Sequence, residues 1–158
     1  PWGARQLADN FIRIALYDEF RSTAGGFVAQ ETESRLRRWV APVRVSLRFG
    51  DSVPEARRAT ERARVASYLA RLQAVTGHPI TLAAGPGNFV VAYVNEEERR
   101  GLAPVMRAAM PGMGANEIAA FTAMPTSTYC QVSAMSEIGT DVYIRAFAVI
   151  RAEHPDLL

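Results

Sequence analysis

Met106, Met110 and Met113 recur at helical spacing, with Met124 and Met135 further along the chain. Thioether sulfur is a soft donor, and three on one helical face form a set that Cu(I) accepts. The same spacing is that of an apolar helical stripe, and methionine is the residue that fills irregular gaps in cores. Pro111 breaks the helix that would align the three, so packing is the favoured reading and copper binding the lesser one. His78 and His154 each precede proline and have no second ligand nearby in sequence. A catalytic zinc helix needs two imidazoles one turn apart, and a structural zinc needs four nitrogen or sulfur ligands. Neither set is present, and no cofactor is expected.

Cys130 shares a strand face with Thr128, Val132 and Ala134, an apolar setting that predicts an inert thiol of raised pKa. No nucleophile elbow occurs, and no histidine stands in relation to a serine. Gly85-Pro86-Gly87 and Gly112-Met113-Gly114 lack the lysine and helix entry of a phosphate loop. The carboxylate pairs Asp18/Glu19 and Glu31/Glu33 and the run Glu96–Glu98 fall at helix starts or turns, where solvated charge is the ordinary outcome. Glu137 and Asp141 flank a hairpin loop. No self-contained active site results, and no catalytic residue is assigned.

These side chains sit in a chain of 158 residues, the length of a single domain with a sizeable core. It is 49% hydrophobic and 22% charged, an ordinary globular composition. All 18 basic residues are arginine, dispersed among 16 acids, and the net charge of +2 gives no nucleic-acid footprint. One cysteine excludes an internal disulfide. No apolar run reaches the ~18 residues of a membrane span. A chain beginning at Pro1 implies that a tag, a signal sequence or a longer N-terminus preceded it.

The organising stretch is Pro42–Gly77. Val43, Val45, Leu47 and Phe49 alternate with Arg44, Ser46 and Arg48, the period of a half-buried strand. Ser52 and Glu55 form a capping-box pattern with Pro54 in the first turn, and Thr76-Gly77 closes the helix. That helix carries a bulky side, Val65, Tyr68, Leu69, Leu72 and Val75, and a smooth side of Ala56, Ala59, Ala63, Ala66, Ala70 and Ala74. Arg57, Arg64 and Arg71 run along one border between them. The alanines fit two readings, close approach of a second element or exposed helix-forming filler.

Elsewhere Gln6–Phe20 reads as an amphipathic helix and Arg21–Gly26 as a loop, with a short helix around Glu33–Arg38. Ile80–Ala83 and Phe89–Val94 flank Gly85-Pro86-Gly87-Asn88, a hairpin pattern. Asn95 and Glu98 form a capping box, Gly101 interrupts that helix and Pro104 restarts it. A helical turn spans Asn116–Phe121. Ser127–Met135 and Asp141–Glu153 are strands that pair antiparallel, the last apolar on both faces and therefore central. The fold expected is α+β: a twisted mixed sheet of about five strands, covered by the Ser52–Thr76 helix and the N-terminal helix.

The pattern resembles the bacterial family called domain of unknown function 2927. The residues that carry the resemblance are Asn10-Phe11 through Ala15, Leu36-Arg37-Arg38-Trp39 leading to Pro42-Val43-Arg44-Val45, Leu72 through Thr76-Gly77, Gly87-Asn88-Phe89-Val90, Cys130, and Ile144-Arg145-Ala146 through Ile150-Arg151-Ala152-Glu153. It covers the chain from about Gln6 onward. The resemblance implies a cell-envelope or lipoprotein-like protein in the periplasm, and a scaffold similar to that of zincins without the metal-binding helix. It further implies a glutamate-rich helix after the final strand, so that the domain, residues 1–158, would be cut short at its C-terminus. It carries over no catalytic residue. Two functions follow as expectations: a non-catalytic partner-binding or structural domain, or the non-catalytic portion of a zincin-like metallohydrolase whose zinc helix lies outside this chain. The partner expected is a protein or the missing C-terminal segment.

Overall fold

The computed structural model describes residues 3–23 and 26–153, with the backbone alone along 18–31. In chain order the elements are α1 (Ala4–Leu16), β1 (Tyr17–Thr23), β2 (Gly26–Glu33), β3 (Arg38–Trp39), β4 (Val43–Phe49), α2 (Glu55–Thr76), β5 (Ile80–Leu82) and β6 (Phe89–Val94). Then come α3 (Glu96–Arg100), α4 (Ala103–Ala109), α5 (Ala115–Thr122), β7 (Cys130–Ser136) and β8 (Val142–Arg151). The chain is α+β, with helices on both sides of a mainly parallel sheet.

The alternation along β4 does what its period demands: Val43 and Val45 are buried while Arg44 and Arg48 are exposed. The sheet runs β5-β4-β6-β8-β7, parallel except for β7. β3 pairs with the start of β8, Trp39 opposite Tyr143. Tyr143 also pairs with Ser136 of β7, so β3 lies on the β6 side of β8, ahead of β6. β8 is central, as its two apolar faces predict.

The glycine stretch between β5 and β6 is not a hairpin turn. Both strands run parallel to β4 and flank it, β5 against Val43–Val45 and β6 against Val45–Phe49. The chain therefore crosses β4 without reversing. Gly87 permits this: a Cβ there would lie 2.0 Å from the Arg44 carbonyl oxygen. Asn88 then replaces a length of strand with its side chain. Its Oδ1 accepts from the Arg44 N–H at 2.7 Å and its Nδ2 donates to the Pro42 carbonyl at 3.0 Å.

One face of the sheet meets α4 and α5. Val90, Ala92, Val94, Phe147 and Val149 pack there against Leu102, Met106, Ile118 and Phe121, with Phe121 edge-on to Phe147 at 6.3 Å. On the other face Val65 and Leu69 of α2 close over Val43 and Val45, with Leu72, Ile80, Leu82, Phe89 and Val91 around them. Gly77 ends α2 in the left-handed conformation at φ 68°, its N–H bonded to the Gln73 carbonyl.

Several local expectations give way. Ser52 does not cap α2, which begins after Pro54 without a side-chain cap; its hydroxyl and N–H go to Glu98 instead. The alanine side of α2 is exposed throughout, so alanine serves there as a helix former. The N-terminal helix stops at Leu16, and β1 and β2 form an antiparallel hairpin over the expected end of that helix and the Arg21–Gly26 loop; where a short helix is expected around Glu33–Arg38, β2 ends at Glu33 and β3 begins at Arg38. Residues 24 and 25 of that loop lie outside the described residues. α1 does not cover the sheet: none of its residues is buried, and Leu7, Phe11 and Ile14 are exposed.

Candidate functional site

The three methionines that could present sulfur to a metal are 0%, 1% and 9% exposed for Met106, Met110 and Met113. All three belong to the apolar cluster around Phe121 and Phe147, where packing accounts for them. His78 turns a ring nitrogen to the Ala41 carbonyl at 3.0 Å, tying the end of α2 to the approach to β4. His154 lies outside the described residues. Among the described residues, no three His, Cys, Asp or Glu side chains converge in a way that could hold a metal ion. Cys130 corrects its expected setting: its face of β7 is the open one, and the thiol is free and exposed.

Ionisable groups do gather at the carboxyl ends of β4, β6 and β8, where open parallel sheets commonly place ligands. Asn95 caps α3 by accepting from the Glu98 N–H at 2.8 Å, and the Glu98 carboxylate takes the Asn95 N–H at 2.9 Å. The same carboxylate accepts from the Ser52 N–H and hydroxyl at 2.8 and 2.6 Å. Burial opposes the charge of Glu98, but the bonds from Ser52, Asn95 and Asp51 outweigh it and hold the carboxyl below its usual range.

Glu96 is the second hub. Arg99 reaches it at 2.6 Å, Arg100 at 3.1 Å and Arg151 at 3.7 Å. The Arg99 hydrogen bond, working against the cost of burial and helped by Arg100, lowers the Glu96 carboxyl to about 2. Arg99 is itself 1% exposed and also donates to the carbonyls of Phe121 and Met124. Arg151 donates to the Thr126 carbonyl, lies over the Tyr129 ring at 5.2 Å and meets Glu153 at 3.4 Å. Each of these hubs is turned on another chain segment. The cluster fastens α3, the end of α5 and the end of β8 to one another, which is a structural task.

A different buried pair was not foreshadowed. Glu61 is 2% exposed on α2, with one oxygen 3.4 Å from Arg64 and the other without a hydrogen-bond partner among the described residues. The Tyr93 hydroxyl likewise has none, and burial together with the Glu61 charge pushes that phenol up to about 12. The signal was present: Glu61 stands four residues before Val65, inside the stripe that Val65 and Leu69 continue.

A further unsatisfied feature among the described residues is a surface. α2 covers β5, β4 and β6 but stops short of β8 and β7. There the side chains of Cys130, Val132, Ala134, Ile144, Ala148 and Ile150 form a floor without a charge. Val132 is 61% and Ile144 41% exposed. The apolar alternation of β7 and β8 was legible, but only one face of β8 is fully covered, by α4 and α5; on the other, Ala146 is buried and Ile150 packs against Val53 and Tyr93, while Ile144 stays open. The sequence could not say which of two apolar faces would stay open.

Gln73 accepts from the Ile80 N–H at 3.0 Å, and Arg62 lies over the Phe49 ring at 5.7 Å. These contacts mark the side of α2 toward the β5–β4 edge. Arg57, Arg64, Tyr68 and Arg71, on the opposite side of the buried stripe, therefore border the floor.

Neither the curated proteins nor the solved structures contain a match to this chain. A family model described as "Protein of unknown function (DUF2927)" matches residues 4–158, nearly the whole chain. The chain belongs to the DUF2927 family of proteins of unknown function.

Proposed function

We propose that this chain is a non-catalytic module of the cell envelope that works by binding a helix of a protein partner, with the floor of β7 and β8 as its docking surface. The observation that carries the reading is the open half-sheet, on which Val132 and Ile144 are 61% and 41% exposed beside a helix that covers the other half. Contiguous apolar surface of this kind marks interaction sites on folded proteins. The floor is two strands wide, about 10 Å, the width of one helix with its side chains. The envelope location rests on the resemblance to lipoprotein-like relatives.

The test is genetic and chemical. Val132→Asp puts a charge at an exposed position, so the protein should accumulate normally while the cell shows the phenotype of gene loss. A Val132→Asp strain that behaves as wild type would falsify the docking reading. Metal analysis of the longest gene product addresses the alternative: zinc retained in stoichiometric amount replaces this reading with a metallohydrolase whose metal helix lies beyond the chain described.

A further inference from the structure

The arginines of α2 specify what the floor holds. The helix carries five arginines against two glutamates, and three of the five, Arg57, Arg64 and Arg71, recur every seven residues on the side that borders the floor. Seven residues is close to two helical turns, so the three guanidinium groups form a row about 20 Å long. Arg64 is half exposed and shared with Glu61 at 3.4 Å; Arg71 lies over the Tyr68 ring at 5.7 Å, at the lip of the floor. The floor itself contributes no charge. A helix laid on it would run beside α2 at the usual 8–10 Å between axes, with one flank against this row.

We infer that the occupant is an amphipathic helix of a partner protein, apolar toward Val132, Ile144 and Ala148 and acidic along the flank that faces Arg57, Arg64 and Arg71. This rests on the docking reading above and adds the chemistry of the partner. Bulky side chains such as leucine suit a floor in which the small side chains of Ala134 and Ala148 leave room for them. Carboxylates at seven-residue spacing would each meet a guanidinium, whose planar fork holds a carboxylate by two bonds. α1 of a second copy is the competing occupant, since its Leu7, Phe11 and Ile14 are exposed. Its flanks carry Arg5, Asp9 and Arg13, one acid against two bases, which the arginine row does not favour.

The probes are two helical peptides of about 18 residues, long enough to form a helix on the surface. They share a leucine face and differ in carrying glutamate or lysine along both flanks. Titrated against the whole chain at low salt, the glutamate peptide is expected to bind about tenfold tighter than the lysine peptide, and to lose that advantage at high salt. The double variant Arg57→Glu and Arg71→Glu, which leaves the Arg64–Glu61 pair in place, should reverse the preference. Val132→Asp should weaken both peptides alike.

Equal binding of the two peptides, abolished by Val132→Asp, overturns the acidic-flank inference and leaves the docking surface standing. No binding of either peptide sinks both. Light scattering that shows a dimer in the untreated protein, dissociated by Phe11→Asp, assigns the floor to a second copy and overturns the inference.

Discussion

At the scale of single residues, Gly87 marks where the crossing chain runs against the backbone of β4. Gly87→Ala drives a methyl group into the Arg44 carbonyl, where β4 and the crossing chain cannot separate without losing the Asn88 bonds. It is expected to cost more than about 2 kcal/mol in urea unfolding, while Gly85→Ala, with nothing within 4 Å of the added Cβ, is expected to be nearly neutral. Tyr93 and Glu96 set opposite limits on pH. The folded Glu96 carboxyl lies near 2, below its unfolded value of 4.5, so its contribution is complete above pH 4.5 and disappears as pH falls toward 2. Glu96→Gln should lower the melting temperature at pH 7 and flatten its decline in acid. The folded Tyr93 phenol lies near 12, above its ordinary value of 10, so its contribution is lost as pH rises from 10 toward 12. Tyr93→Phe removes a hydroxyl with no hydrogen-bond partner. It should change stability at pH 7 by less than about 1 kcal/mol, and it should flatten the alkaline decline.

At the scale of elements, the short helices α3, α4 and α5 depend on being tied down, because helices of so few turns are not stable alone. Arg99 supplies the tie between α3 and the end of α5. Arg99→Met keeps the volume but strands the Phe121 and Met124 carbonyls, at an expected cost of about 3 kcal/mol. Differential scanning calorimetry should show this as a fall in melting temperature of roughly 6–12 °C for a chain of this size. α1 is the contrast. It buries none of its residues, so Phe11→Asp should leave the melting temperature of the monomer within about 2 °C of the parent. The helix signals legible in sequence were those whose partners lie within one turn: the Asn95–Glu98 box, the Gly77 terminus and the Pro104 restart. Ser52 escaped because Glu98, its real partner, lies 46 residues away.

At the scale of the whole molecule, the sheet is asymmetric: both faces are apolar and only one is covered from β4 to β8. Cys130 reports on the open part. Its thiol should react with a disulfide reagent in the native protein at a rate within about tenfold of that in denaturant; a thiol that stays protected would show that the floor is closed in solution. The sequence by itself determined the α+β class, the long helix and the centrality of β8, because periodicity and short-range spacing encode these. It could not determine that Gly85–Asn88 carries the chain across β4, that Tyr93 would be the neighbour of Glu61, or that Cys130 would face outward. Those follow from which strands become neighbours and how far α2 reaches across them, and such long-range packing leaves no periodic trace in the residues it brings together.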